Sequence, residues 1–172
     1  MLRSHKLRYR AGDVPYRVVL IEPEIPPNTG AIARTCVATR TPLHLVGPLG
    51  FDISDHAVRR AGLDYWPHLM LHRHDAFEGF LEAFPDSRPV LFSASAKRSY
   101  LEAELRPSDA LVFGKESVGL PSSLIEEHGA YAIPTAGEVR SLNLSNVVSI
   151  VLYEGLRRSG QLGETFVEAP AG

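Results

Sequence analysis

Polar residues that could bind a ligand occur in three short segments, each after a run of apolar residues. Residues 22–30 lead to Arg34, residues 114–121 carry two glycines, and residues 140–146 combine an arginine with serine and asparagine. Open α/β sheets bind ligands in loops that follow their strands. The guanidinium of Arg34 stays charged at neutral pH. It would suit a site where a phosphate and a developing alkoxide meet.

The first segment places Arg34 inside a predicted helix. Asn28 can cap that helix, and Gly30 allows close approach to its backbone. Arg34 follows about one and a half turns later, so its long side chain could reach back toward the loop. The alternative is an ordinary surface arginine.

The second segment suggests a backbone that wraps a ligand, through Gly114 and Gly119. It is not a phosphate-binding P-loop, because Leu120 and Pro121 stand where that motif needs Lys and Ser or Thr. The chain also lacks a G-x-G-x-x-G motif, so dinucleotide binding of that kind is not predicted.

Two other groups of titratable residues are weaker candidates. His68, His72 and His74 lie close together, but no Cys or Glu partner stands at a recognised spacing, so we predict no metal site. Glu22 and Glu24 could form a carboxylate pair for acid–base chemistry. They are equally well explained as turn residues near a helix N-terminus, where negative charge is favourable.

Charge gives no general sign of a nucleic-acid partner, because the formal net charge is −2. The basic pairs at 59–60, 97–98 and 157–158 would singly be solvated surface residues. Together they could follow a phosphate backbone. Any nucleic-acid site must therefore be a local basic patch.

The composition is that of an ordinary globular protein, with 172 residues, 44% hydrophobic and 22% charged. No apolar run approaches membrane-spanning length, and the basic first residues lack the apolar middle of a secretory signal. A single cysteine, Cys36, fits a reducing compartment, so we expect a cytoplasmic location. We expect a flexible basic extension at 1–16, one domain at 17–160 and a flexible tail at 161–172.

Predicted strands alternate with predicted helices, which indicates an α/β domain with a mostly parallel sheet. The strands are expected at 17–22, 43–46, 89–93, 110–113 and 131–133. The helix after residue 143 is apolar on nearly every side from Val147 to Leu152. Such a helix must be covered on several faces, so we predict a homodimer through it. The alternative is a core helix with an Asn or Ser cap.

Three ordered motifs resemble those of the SPOUT class of RNA 2′-O-ribose methyltransferases. They are P-E-I-P-P-N-T-G-x-I-x-R at 23–34, G-x-E-x-x-G-L-P at 114–121, and an I-P pair at 133–134 followed by R-S-L-N-L-S-N at 140–146. The resemblance is strongest to the subgroup that methylates a cytidine or uridine at the tRNA wobble position. It implies a parallel α/β sheet, a C-terminal trefoil knot, a homodimer and S-adenosyl-L-methionine as cofactor.

The resemblance also assigns roles by position. The implied cofactor contacts are Ala94, Gly114, Ile133, Ser141 and Leu142. The implied catalytic and polar motif residues are Arg34, Asn28, Glu116 and Asn143. The predicted RNA-binding residues are Arg59, Arg60 and Arg140. The chain departs from many relatives at Ala31 and Val118, which bears on the choice of tRNA more than on the reaction.

The implied reaction is an in-line attack of a ribose 2′-hydroxyl on a sulfonium methyl group. A guanidinium rarely loses its proton, so we expect Arg34 to stabilise oxyanion charge rather than act as the base. An anticodon stem-loop is the expected target, because no appended RNA-binding domain is evident. The alternatives are methylation of another RNA such as ribosomal RNA, a non-catalytic RNA-binding module, and a small-molecule enzyme that uses Glu22 and Glu24.

Overall fold

The structure, a computed structural model, describes residues 5–60 and 62–169, apart from the side chains at 55 and 59. The strands are β1 Lys6–Tyr9, β2 Arg17–Ile21, β3 Leu43–Val46, β4 Leu71–His74, β5 Pro89–Phe92, β6 Arg98–Ser99, β7 Ala110–Phe113, β8 Tyr131–Ala132 and β9 Thr165–Glu168. The α-helices are α1 Pro26–Thr39, α2 Asp55–Arg60, α3 Phe77–Ala83, α4 Ser122–His128 and α5 Leu144–Arg158. Short 3-10 helices lie at Trp66–His68 and Tyr100–Glu102.

Seven strands form one parallel sheet in the order β4-β3-β2-β7-β5-β8-β6. In the centre, Val18 of β2 lies opposite Leu43 of β3 and Leu111 of β7. The four residues of β3 and of β7 are all buried, as expected for strands with helices on both faces. The predicted α/β domain with a mostly parallel sheet is confirmed.

The two faces of the sheet support separate hydrophobic cores. Val18 and Leu20 of β2 point to one face and pack in the cluster that contains Ile32 of α1 and Leu152 of α5. Val19 points to the other face and packs in the cluster that contains Phe80 of α3. Because alternate residues of a strand face opposite sides, one apolar run serves both cores.

Helix α5 begins after Asn143, whose Oδ1 accepts a hydrogen bond from the Ser145 backbone N–H at 2.9 Å. One side of the helix is buried within the chain, including Val151, while Ile150 is 37% exposed and Tyr153 is 44% exposed. The chain thus covers only part of the apolar surface that the sequence predicted. Within the described ranges, no helix is long and apolar enough to cross a membrane.

Strands near the two ends of the described chain pair with each other, within the segments 1–16 and 161–172 that we expect to be flexible. Strands β1 and β9 form an antiparallel two-stranded sheet in which Leu7 lies opposite Val167. Arg8 Nε also lies 2.8 Å from Glu168 Oε2. The two partners are distant in sequence, so local patterns in either segment do not reveal the pairing. The remaining terminal positions, 1–4 and 170–172, lie outside the described residues.

Candidate active site

The carboxyl ends of β2, β5, β7 and β8 meet at one edge of the sheet, where the loops that follow them surround a cavity of about 530 Å³. We call it the strand-end cavity. Its walls come from residues 92–95, 113–119, 131–133 and 140–144, with Ile25, Asn28, Thr135 and Val147. The parallel arrangement explains this convergence, because loops distant in sequence leave the same edge.

The five positions predicted to contact a cofactor all line the strand-end cavity. They are Ala94, Gly114, Ile133, Ser141 and Leu142. Asn28, Glu116, Asn143 and Arg140 line it as well. The cavity combines aromatic and aliphatic side chains, such as Phe92 and Leu142, with hydroxyl and amide groups. It could therefore hold a molecule with both a flat apolar part and polar ends.

Glu116 connects the second motif loop to the start of α1. Its carboxylate accepts hydrogen bonds from the backbone N–H groups of Glu24 and Ile25, at 2.8 and 3.3 Å, and from Asn28 Nδ2 at 3.0 Å. The N-cap position of α1 is Ile25, which has no side chain able to cap the helix. Glu116 thus places its negative charge by the helix start.

Asn28 and Asn143 connect the first motif loop to the third. Asn143 Nδ2 donates to Asn28 Oδ1 at 2.9 Å, and Asn28 is only 8% exposed. Asn143 Oδ1 accepts hydrogen bonds from the backbone N–H and the hydroxyl of Ser145, at 2.9 and 2.6 Å. Three of the predicted catalytic residues therefore form a hydrogen-bonded chain that holds the loops together.

Glu22 and Glu24 also make contacts between loops. Lys115 Nζ donates to Glu22 Oε2 at 2.6 Å, and this bond raises the pKa of Lys115. The backbone N–H and hydroxyl of Ser117 each donate to Glu24 at 2.9 Å, which lowers the pKa of the Glu24 carboxyl. Both carboxylates are engaged in binding the second motif loop, which weakens the reading of them as an acid–base pair.

The glycine at 114 serves a close approach between two backbone segments. A Cβ atom there would lie 2.2 Å from the carbonyl carbon of Gly119 and 2.3 Å from the Leu120 nitrogen. Gly119 has φ of +77° and donates from its N–H to the Lys115 carbonyl at 2.8 Å. The glycines thus permit the loop to close on itself, and both line the strand-end cavity, where the sequence suggested that they wrap a ligand.

Arg34 is placed by the structure in a different cavity. It lies six positions after Asn28, which is about 120° around the helix from it. Its guanidinium carbon lies 4.6 Å from the ring centroid of Tyr65, whose hydroxyl donates to the Gly30 carbonyl at 2.7 Å. The structure therefore does not bring Arg34 to the strand-end cavity of its own chain.

This second cavity, of about 640 Å³, we call the aromatic cavity. It lies between the start of α1 and the segment from residue 51 to residue 66. Its lining includes Phe51, Tyr65 and Trp66, together with Arg34 and Arg60. Of the predicted RNA-binding residues, Arg60 thus lies here and Arg140 lines the strand-end cavity, while the side chain of Arg59 lies outside the described residues.

Sequence reasoning missed the aromatic residues of this cavity. Phe51 precedes helix α2, and Tyr65 and Trp66 follow it, so no helical or strand periodicity placed them together. The available signal was their proximity in sequence to the basic pair at 59–60. Aromatic residues mixed with arginines are typical of surfaces that bind single-stranded nucleic acid.

The histidines form a packed cluster of unexpected membership. His44, not His68, joins His72 and His74: its ring stacks on His72 with centroids 4.6 Å apart, and its Nδ1 lies 3.0 Å from His74 Nε2. Burial lowers the pKa of His44 to about 3, with a further reduction from the two neighbouring histidines and Arg17. Among the residues described, no group of three or more His, Cys, Asp or Glu side chains is arranged to hold a metal ion.

A sequence model of the SpoU rRNA Methylase family matches residues 15–153. The chain belongs to the SpoU methylase family. One similar protein is the tRNA (cytidine(34)-2′-O)-methyltransferase of Escherichia coli (strain K12). It is 41% identical over 149 residues, which cover 85% of this chain and 95% of the relative.

Solved structures resemble this SpoU methylase over most of its length. One, described as structural insights into the 2-OH methylation of C/U34 on tRNA, has a TM-score of 0.79 and 47% identity, and the match covers 86% of this chain and 97% of that one. The AdoMet-bound rRNA methyltransferase from Sinorhizobium meliloti has a TM-score of 0.71 and 28% identity, over 88% of this chain and 58% of the other. The resemblance to the RNA 2′-O-methyltransferase class is confirmed.

Proposed function

We propose that this chain transfers a methyl group from S-adenosylmethionine to the ribose 2′-hydroxyl of the wobble nucleotide, a cytidine or uridine, in the anticodon loop of tRNA. One observation carries the proposal. Three separate motif loops assemble around one cavity in a chain that is 41% identical over 149 residues to a tRNA (cytidine(34)-2′-O)-methyltransferase. The C-terminal trefoil knot and the cytoplasmic location expected from the sequence belong to the same proposal.

The strand-end cavity fits S-adenosylmethionine in size and in chemistry. Its volume of about 530 Å³ lies within the usual range for small-molecule sites. Ile133 and Leu142 offer apolar walls for an adenine ring, and Ser141 offers a hydroxyl for polar groups. When bound there, the cofactor supplies a methyl group activated by the sulfonium charge.

The residues of the chain position the reacting groups. The hydrogen-bonded chain from Glu116 through Asn28 to Asn143 fixes the walls of the cavity, so its geometry is set before a ligand arrives. Arg34 contributes a permanent positive charge that can orient a phosphate and stabilise the oxyanion that develops on the ribose. Its planar guanidinium can donate two parallel hydrogen bonds to the two non-bridging oxygens of a phosphodiester.

A homodimer would bring Arg34 to the cofactor. Arg34 faces the aromatic cavity of its own chain, while α5 leaves Ile150 and Tyr153 exposed for a second copy to cover. We therefore propose that each active site combines the strand-end cavity of one subunit with Arg34 of the other. Burial of the exposed apolar groups of α5 would stabilise the dimer.

Incubation of the protein with tRNA and labelled S-adenosylmethionine, followed by nuclease digestion, tests the reaction. We expect label in a 2′-O-methylated nucleotide from the wobble position. Ala94→Trp should abolish cofactor binding by filling the cavity from an exposed loop, whereas Lys97→Trp, on the same loop but outside the cavity lining, should not. Label that appears only at another nucleotide of the tRNA, or in a nucleobase, would contradict the proposal.

Mixed dimers test the shared active site. Ala94→Trp and Arg34→Ala should each be inactive alone. Random mixing of the two proteins should restore about a quarter of the wild-type activity, because half of the dimers then contain one intact site. If each site is built from a single chain, the mixture stays inactive, and sedimentation shows whether dimers formed at all.

A further inference from the structure

The aromatic cavity has features that the methyl-transfer reaction does not by itself require. Its wall contains the aromatic side chains Phe51, Tyr65 and Trp66, and most of its exposed lining is apolar. Its volume of about 640 Å³ exceeds that of the strand-end cavity. A flat apolar group could enter it and lie against an aromatic ring.

Two arginines at this cavity supply positive charge. Arg34 and Arg60 are both exposed, and neither makes a salt bridge with a described residue. The nearby carboxylate of Asp52 is occupied locally, because it accepts hydrogen bonds from the Ser54 N–H and hydroxyl at 2.7 and 2.8 Å. The cavity therefore pairs an apolar aromatic interior with cationic groups suited to phosphate.

We propose that the aromatic cavity binds an unstacked nucleobase of the single-stranded RNA loop, with Arg34 and Arg60 contacting the phosphates on either side of it. This inference rests on the proposed function, because it places the base beside the arginine that serves the methylated ribose. Bases splayed from a single-stranded loop stack on aromatic side chains and arginine planes in sequence-tolerant recognition.

The chemistry of the lining predicts how selective this pocket is. An apolar aromatic wall rewards the presence of a flat base but offers few hydrogen-bonding groups to read its edge. Removal of one base from the loop should therefore weaken binding more than exchange of that base for another. Stacking on an aromatic ring contributes enough that the loss amounts to about tenfold in affinity.

The chain contains one tryptophan, Trp66, so its fluorescence reports on this cavity alone. The wild-type protein is titrated with an anticodon stem-loop hairpin, and with hairpins that carry an abasic ribose at each loop position in turn. We expect the intact hairpin to quench Trp66. One abasic position should remove the quenching and weaken binding about tenfold.

Matched variants separate stacking from folding. Phe51→Ala should reduce hairpin affinity, and Phe51→Tyr should restore it, because tyrosine keeps the stacking face. Phe166→Ala, which removes an exposed phenylalanine in the terminal sheet, should have no effect. Circular dichroism checks that each variant is folded. Loss of binding in Phe51→Tyr as severe as in Phe51→Ala would overturn the inference.

The outcomes also distinguish this inference from the proposed function. If anisotropy shows hairpin binding while the fluorescence of Trp66 does not change, the inference is wrong, whether or not methyl transfer occurs. If the fluorescence of Trp66 changes with protein concentration and not with RNA, a second copy of the chain occupies the cavity, and the inference is again wrong. If the hairpin quenches Trp66 in a protein that methylates no RNA, the base-binding pocket is supported and the proposed reaction is contradicted.

Discussion

Asn143 Nδ2 donates a hydrogen bond of 2.9 Å to Asn28 Oδ1 across a sequence separation of 115 residues. Asn28 passes the connection on, because its Nδ2 donates to Glu116. Three loops that are far apart in sequence are thereby joined through the amide of one nearly buried residue. These hydrogen bonds couple the three loops around the strand-end cavity, so a substitution in one loop should also displace the other two.

Asn143→Ala should lower both stability and cofactor affinity. It removes the N-cap of α5, which costs about 1 kcal/mol, and leaves the Asn28 oxygen without its donor, which costs about as much again. We expect a loss of about 2 kcal/mol in unfolding free energy and about tenfold in S-adenosylmethionine affinity, from denaturation and calorimetry. Asn146→Ala, at an exposed position on the same helix, is the control and should change neither.

Glu116 variants separate bracing from a direct charge effect on the cofactor. Glu116→Ala frees three donors at the start of α1, so we expect a loss of about 3 kcal/mol in stability. Glu116→Gln keeps one acceptor oxygen and should lose about 1 kcal/mol. Cofactor affinity should fall in the same order as stability. If Glu116→Gln keeps its stability yet binds the cofactor as poorly as Glu116→Ala, the carboxylate acts on the sulfonium through its charge.

The strand-end cavity could be anticipated from the sequence. Gly114 follows one predicted strand and Ile133 ends another, and the loops that leave parallel strands lie at one edge of the sheet. Their meeting also requires the order β7-β5-β8 within the sheet, which local sequence patterns do not reveal. The cap at Asn143 was also visible, because asparagine before an apolar helix is a local signal.

The position of Arg34 and the pairing of the chain ends could not be predicted in the same way. The direction of the Arg34 side chain depends on Tyr65, which belongs to an irregular segment with no periodic pattern. The pairing of Leu7 with Val167 joins segments at opposite ends of the chain. Both features arise from non-local contacts, and local propensity contains no information about them.

The histidine cluster should make stability depend on pH. His44 has an ordinary pKa of 6.5 when unfolded and about 3 when folded, because it is buried beside His72, His74 and Arg17. Between these values the unfolded chain binds a proton that the folded chain does not. The stabilisation is therefore complete above about pH 6.5 and is lost progressively as pH falls toward 3.

His44→Phe should flatten this dependence. Phenylalanine keeps a ring for the edge contacts with Phe80 and Phe84 and cannot be protonated. From pH 7 to 4.5, we expect the wild type to lose about 2 kcal/mol more than the variant in urea denaturation. His68→Phe, at an exposed position, should keep the wild-type slope. Equal slopes in the wild type and His44→Phe would show that His44 is not the responsible group.

Tyr65 should act as a positioning residue for Arg34. Its ring lies 4.6 Å from the Arg34 guanidinium, and its hydroxyl is anchored on the Gly30 carbonyl. The interaction of a cation with an aromatic face contributes about 1 kcal/mol at such a site. Without the ring, the Arg34 guanidinium could adopt other positions and would spend less time where it can contact the ribose and phosphate.

The measurement is single-turnover methylation at saturating tRNA and cofactor. Arg34→Ala should lose about a hundredfold or more, and Arg34→Lys should also be slow, because an ammonium cannot reproduce the planar fork. Tyr65→Leu should lose about tenfold in rate at saturation, while Tyr65→Phe, which keeps the ring, should stay within about threefold of wild type. Arg40→Lys, on the same chain segment as α1, should react at the wild-type rate. A merely structural role for Tyr65 would instead lower stability in both Tyr65 variants, and the rate per folded molecule would not change.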